Sequence, residues 1–126
     1  MTAKLAKTIP TIKLTVTYNA TSDPNQRMGR PHQYLSKTAF DDTRVSDNPK
    51  ASERAKDRND IAYGGTVEVF ATPEDAETWF KYIDGLSQAL GGMVQPDYYY
   101  RNGAVVVRVS HLLTPEQAKQ YEQGIS

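Results

Sequence analysis

A run of cationic side chains uninterrupted by acids lies between Asn25 and Lys37. Arg27, Arg30, His32 and Lys37 gather there around Gly29 and Pro31, and no acid falls between Asp23 and Asp41. Arginine forks grip carboxylate or phosphate through paired hydrogen bonds, and a glycine lets backbone come close to a ligand. The segment could therefore clamp a small anion. Walker-type or dinucleotide-type glycine spacing is missing. The same residues also fit a covering loop whose Tyr34, Leu35 and Phe40 plug a sheet while the charges stay in water. A second group is Tyr98, Tyr99 and Tyr100 with Arg101 and Arg108. Aromatics on a sheet face can stack bases, but the Gly and Phe consensus that accompanies such sheets is absent. Tyr and Arg are also the side chains enriched at protein interfaces, which favours a protein contact made through Tyr99, Arg101 and Arg108.

Other chemistry finds little support. His32 and His111 are distant in sequence, and neither stands in a metal-ligand spacing. There is no cysteine, so thiol catalysis, disulfides and cysteine-held zinc drop out together. No Gly-x-Ser-x-Gly elbow is present. Ser110 and His111 are neighbours whose side chains would point to opposite faces of a strand. Asp41-Asp42 and Glu74-Asp75 have ordinary roles as turn former and helix-dipole partner. Fifteen Lys+Arg balance fifteen Asp+Glu for a formal net charge of zero, which argues against sequence-independent nucleic-acid binding. No metal, cofactor or catalytic group is assigned, and the expected chemistry is recognition without catalysis.

The elements that must position these residues follow from periodicity. The chain has 126 residues, the size of one domain, with residues 1–10 expected as a flexible arm and 11–126 as a single α+β unit. Thr11–Asn19 alternates Ile12, Leu14, Val16 and Tyr18 with polar residues, the period of a strand with one wet face. Apolar patterning then dissolves into a long irregular loop between the first two strands, with 41–63 expected to be mobile. Thr66–Ala71 reads as a strand. Thr72 caps the helix that follows, with Pro73 at its first position. Ala76, Trp79, Phe80, Ile83, Leu86 and Leu90 form its apolar stripe, and Gly91-Gly92 ends it. Asn102-Gly103 predicts a two-residue hairpin turn placing Arg101 opposite Ala104, Tyr100 opposite Val105 and Tyr98 opposite Val107. Tyr98, Tyr100, Val105, Val107 and Val109 then share an apolar face, and Tyr99, Arg101, Val106 and Arg108 a half-exposed one. Thr114 with Gln117 predicts a capping box for a last helix, whose stripe is Ala118, Tyr121 and Ile125. The expected architecture is an antiparallel sheet of about four strands with two helices packed on one face.

Three stretches carry a family resemblance: Asn25–Asp42, Gly65–Trp79 and Tyr100–Val109. Together they resemble the soluble domain of small actinobacterial lipoproteins found in mycobacteria, streptomycetes and their phages. The likeness spans roughly residues 11–124. It implies an extracytoplasmic domain held by a lipidated cysteine behind a signal peptide, with membrane association only through that anchor. This chain has neither lipobox cysteine nor apolar leader, so the expectation is envelope display if a lipobox lies upstream and a cytoplasmic location otherwise. It implies no active site. The combined expectation is a non-enzymatic, envelope-associated domain that binds a protein partner, not nucleic acid. In a phage setting it would interfere with superinfecting phage at the membrane. The alternative is a domain binding a small anionic ligand through the Arg27–Lys37 loop.

Overall fold

The computed structural model describes residues 1–23, 26–55, 58–90 and 97–126. Strands β1 (Ile12–Thr17), β2 (Ser36–Asp42), β3 (Gly64–Val69), β4 (Tyr98–Asn102) and β5 (Val105–Val109) form one antiparallel sheet in the order β1-β2-β3-β5-β4. The helices among the described residues are α1 (Thr2–Thr8), α2 (Pro49–Arg54), α3 (Pro73–Leu90) and α4 (Pro115–Gly124). Both β3 and β4 are antiparallel to β5, so they run in the same direction with β5 between them. With α3 joining them, this is a split β-α-β unit. The expected α+β class with an antiparallel sheet stands, and β2 supplies a fifth strand.

The helices do not share one face, as the sequence had suggested. Phe40, Val67, Val107 and Val109 pack with Leu5 and Ile9 from the amino-terminal segment and with Ala118, Tyr121 and Ile125 from the α4 segment. Val106 packs instead with Tyr34, Phe70 and the α3 residues Ala76, Trp79 and Ile83. Because neighbouring strand residues point to opposite faces, Val106 and Val107 belong to two separate cores. The face of Tyr99, Val106 and Arg108 is therefore covered by α3.

The β4–β5 turn lies one position later than the Asn-Gly signal suggests. Asn102 pairs with Val105, Tyr100 with Val107 and Tyr98 with Val109. Gly103 and Ala104 form the loop, with Gly103 at φ +56°. A Gly-first loop needs only one left-handed residue, whereas the Asn-Gly form needs two. Each partner shifts by two residues, so the side chains keep the faces expected of them. Gly65 has a separate requirement. A Cβ there would lie 2.4 Å from the Arg108 carbonyl oxygen and 2.8 Å from the Phe40 ring.

Two segments read as loose carry regular structure among their described residues. Residues 2–8 form α1, and Leu5 and Ile9 are buried in the main core. Too few apolar residues stand there to show a stripe, but one leucine against α4 suffices to dock a short helix. Within 41–63, β2 continues to Asp42, Asn48 caps α2, and Val45, Ala51 and Ala62 are buried. Four of the charges in this stretch are paired, Arg44 with Asp42 and Arg58 with Asp41. Arg58 donates two hydrogen bonds to Asp41, at 2.9 and 2.6 Å. Elsewhere, Leu14 is 57% exposed on the edge strand β1, and the register shifts between Leu14 and Val16, so the expected alternation does not hold along the strand. The helix starts hold: Thr72 Oγ1 accepts from the Asp75 amide, and Thr114 with Gln117 forms the full capping box. The proposed stop at Gly91-Gly92 lies outside the described residues.

Asp42 ties β2 to α4. Its carboxylate is fully buried and accepts from the Arg44 amide and Nε at 3.0 Å, from Arg44 Nη2 at 2.8 Å and from the Tyr121 hydroxyl at 2.6 Å. Burial alone would raise the acid's pKa, but the bonds from Arg44 and Tyr121 outweigh it and hold Asp42 below its ordinary value. Burial and the bond to Asp42 push the Tyr121 hydroxyl up. A carboxylate whose folded pKa is depressed contributes stability that is complete above its unfolded pKa of ~3.9. That contribution is lost as pH falls through the folded value. Tyr121→Phe should cost about 1.5–3 kcal/mol, the worth of a hydrogen bond to a charged group. Asp42→Asn should lower stability at neutral pH and flatten the loss of stability below about pH 4. Chemical denaturation across pH checks both. An Asp42→Asn protein with the parent's acid profile would show that Asp42 does not drive the transition.

Candidate functional site

The most chemically distinctive surface lies where the segment before β2 meets α3. Asp23, itself buried, accepts from the amides of Arg27 and Met28 at 2.8 and 3.0 Å and from the Tyr34 hydroxyl at 2.9 and 2.8 Å. Gly29 closes the loop at φ +81°, its amide donating to the Tyr34 carbonyl. Tyr34 is wholly buried, edge-on to both Phe70 and Trp79. It plays the plugging role expected of it, whereas Leu35 is exposed and Phe40 serves the opposite core.

This scaffold holds Arg27 over two aromatic rings of α3. Its guanidinium carbon is 5.4 Å from the Trp79 centroid and 5.8 Å from that of Tyr82, and the two rings stack at 5.4 Å. Such cation–π contacts add roughly 0.5–2 kcal/mol each, depending on desolvation. Arg27, Trp79, Tyr82, Ile83, Leu86 and Arg108 line a cleft of about 200 Å³. Behind it, Glu68 of β3 is fully buried. The Trp79 indole donates to Glu68 Oε1 at 3.2 Å, and Arg108 Nε stands 3.4 Å from the same oxygen. The arginine contact is Coulombic without a hydrogen bond. Neither Arg108 Nε nor Glu68 Oε2 has a hydrogen-bond partner among the described residues, though both are buried.

The residues singled out by sequence thus divide. Arg27 and Arg108 meet in the cleft. Tyr99 lies beneath α3 with its hydroxyl donating to Asp84 at 2.6 Å and its ring against Phe80, so it is not an open contact. Lys37 is buried, its ammonium over the rings of Tyr18 and Tyr34, and is not a solvent-facing clamp. Arg30 is exposed, and His32, at φ +63°, reaches Asp75 at the start of α3. Arg101 is exposed at the hairpin end and donates to the Gly103 carbonyl. Sequence reasoning missed Glu68 and Tyr82, and placed on the apolar stripe of α3 a Leu86 that is in fact half exposed. Glu68 alternates with Val67 and Val69, and nothing local in the sequence shows that a strand covered on both faces has no wet side. Tyr82 sits one turn from the tryptophan stripe, a signal that spacing could have given.

The other histidine, His111, faces Asp97 at 3.1 Å. Among the described residues no group of three or more potential metal ligands comes together, and no helix is long and apolar enough to cross a membrane. No protein-family model, curated protein or solved structure matches this chain.

The loop geometry is testable through Tyr34. Tyr34→Phe leaves Asp23 without its hydroxyl donor and should cost about 1–3 kcal/mol. Amide exchange at Arg27 and Met28 should accelerate, and the emission of Trp79, the only tryptophan, should move toward that of a wetter indole. Unchanged exchange at both amides would show that the loop stands without this bond.

Proposed function

We propose that this chain is a non-enzymatic protein-binding domain whose contact surface is the outer side of α3 together with the Arg27 loop. The observation that carries the reading is the pair Tyr82 and Leu86. Both are 48% exposed, they lie one helical turn apart, and they border the Arg27–Trp79 stack. Aromatic and arginine side chains beside exposed apolar ones make the composition of an interface core. Scattered single apolar residues need no explanation, but a cluster with a prepared cation does.

The surface differs from the one the sequence suggested. Tyr99 leaves it, Tyr82 and Leu86 enter it, and Arg30 and His32 flank it on the same loop. The envelope setting, the lipid anchor and interference with superinfecting phage rest on the resemblance to actinobacterial lipoproteins alone. A small-ligand role has weaker support, because a cleft of about 200 Å³ falls below the ~300–1,000 Å³ usual for ligand pockets.

A photo-crosslinking amino acid placed at position 82 in the native host should give a discrete adduct that disappears on Arg27→Ala. The same probe at exposed Leu14 on β1 should give none. Equal adduct patterns from the two positions would rule out α3 as the contact face. Leu86→Ala should alter stability by no more than about 1 kcal/mol, since the side chain is half exposed, so adducts lost with it would not reflect unfolding.

A further inference from the structure

The lining of the α3 cleft carries two arginines and no acid. Arg27 is fixed by ring contacts, and Arg108 by a 3.4 Å approach to Glu68 that is not a hydrogen bond. Neither guanidinium donates a hydrogen bond to a described residue. Guanidinium groups in protein normally spend their N–H donors on carboxylates, carbonyls or water, and charge-assisted bonds to a carboxylate are the strongest available to them. The cleft therefore holds unspent donors of a geometry suited to a carboxylate.

We propose that a carboxylate side chain of the protein partner enters between Arg27 and Arg108, while an apolar residue beside it in the partner lies on Tyr82 and Leu86. The inference rests on the docking role proposed above for α3 and names the chemistry of the partner. Three observations select this occupant. At ~30 Å³ per water, 200 Å³ is room for about half a dozen waters, which suits an acidic side chain and not a cofactor. The lining combines two cations with aromatic and aliphatic side chains, matching an acid with an apolar neighbour. Arg108 donates no hydrogen bond to a described residue while its side chain is 20% exposed, so a ligand oxygen in the cleft would give its guanidinium an acceptor.

Trp79 lines the cleft and is the only tryptophan, so its fluorescence reports occupancy directly. The probes are two blocked tripeptides, acetyl-Phe-Glu-Leu-amide and acetyl-Phe-Gln-Leu-amide, titrated into the intact chain. The glutamate peptide should give a saturable change and bind about fivefold or more tighter than its glutamine counterpart. Arg27→Gln and Arg108→Gln should each reduce that preference. Thermal melts accompany both variants, and Arg27→Gln keeps the test open if removal of Arg108 beside buried Glu68 unfolds the chain. Equal affinity of the two peptides would overturn the carboxylate clamp and leave apolar docking on α3 in place. No response to either peptide would also overturn the clamp, while the crosslinking at position 82 still decides the docking face. Displacement of the glutamate peptide by equimolar inorganic phosphate or acetate would show a general small-anion site and would equally overturn a clamp for a peptide carboxylate.

Discussion

The burial of Glu68 constrains the rest of the molecule. A carboxylate in the central strand of a sheet covered on both faces is held away from water, at a cost that excellent local partners must offset. Its partners come from different parts of the chain: the Trp79 indole from α3 and the Arg108 side chain from β5. The bond from Trp79 sets the rotation of α3 over the sheet. That rotation places Ala76 and Ile83 in the core and turns Tyr82 and Leu86 outward. Arg108 is drawn down toward Glu68 and so forms one wall of the cleft. The shape of the α3 cleft thus follows from how buried Glu68 is accommodated.

Asp42 shows what the same problem looks like when it is fully solved. Both its oxygens are bonded, to Arg44 and Tyr121, and Arg44 goes on to Gln120 of α4. A completed polar network of this kind rigidifies and specifies a core. Around Glu68 the network is incomplete: one oxygen and one guanidinium nitrogen lack partners among the described residues. The two carboxylates lie on the two faces of the same sheet, one locking the α4 side and the other bordering the α3 cleft. The difference between them is a difference in hydrogen-bond satisfaction.

What the sequence made legible and what it hid follow from the range of the interactions involved. Helix starts at Thr72 and Thr114 are local, written within three or four residues, and they held. The faces of the β4–β5 hairpin held although its register moved, because a shift of two residues preserves alternation. Trp79 was recognisable as a core residue from the α3 stripe. Strand β2 was hidden because Lys37, Asp41 and Asp42 make it look wet. Their burial is possible only through Arg44, Arg58, Tyr121 and ring faces supplied from elsewhere. The split of the helices between two faces was equally unreadable, since each apolar stripe fits either side of a sheet. In the site, Arg27 and Arg108 were each visible as cations, but only the packing of the Tyr34 loop against α3 brings them together.

That packing also explains why the Arg27 guanidinium keeps its N–H donors. The loop carrying Arg27 owes its order to Asp23, Tyr34 and Gly29: two amides and a hydroxyl converge on one buried acid, and a left-handed glycine closes the turn. None of these contacts uses the Arg27 guanidinium. Its position over Trp79 and Tyr82 comes from ring faces, which attract the charge without consuming its N–H donors. A loop whose stability depended on an ion pair at Arg27 would have to break that pair to bind an anion, losing most of the gain. Here backbone and side chain have separate tasks, so the donors are oriented before a ligand arrives and little ordering remains to be done on binding.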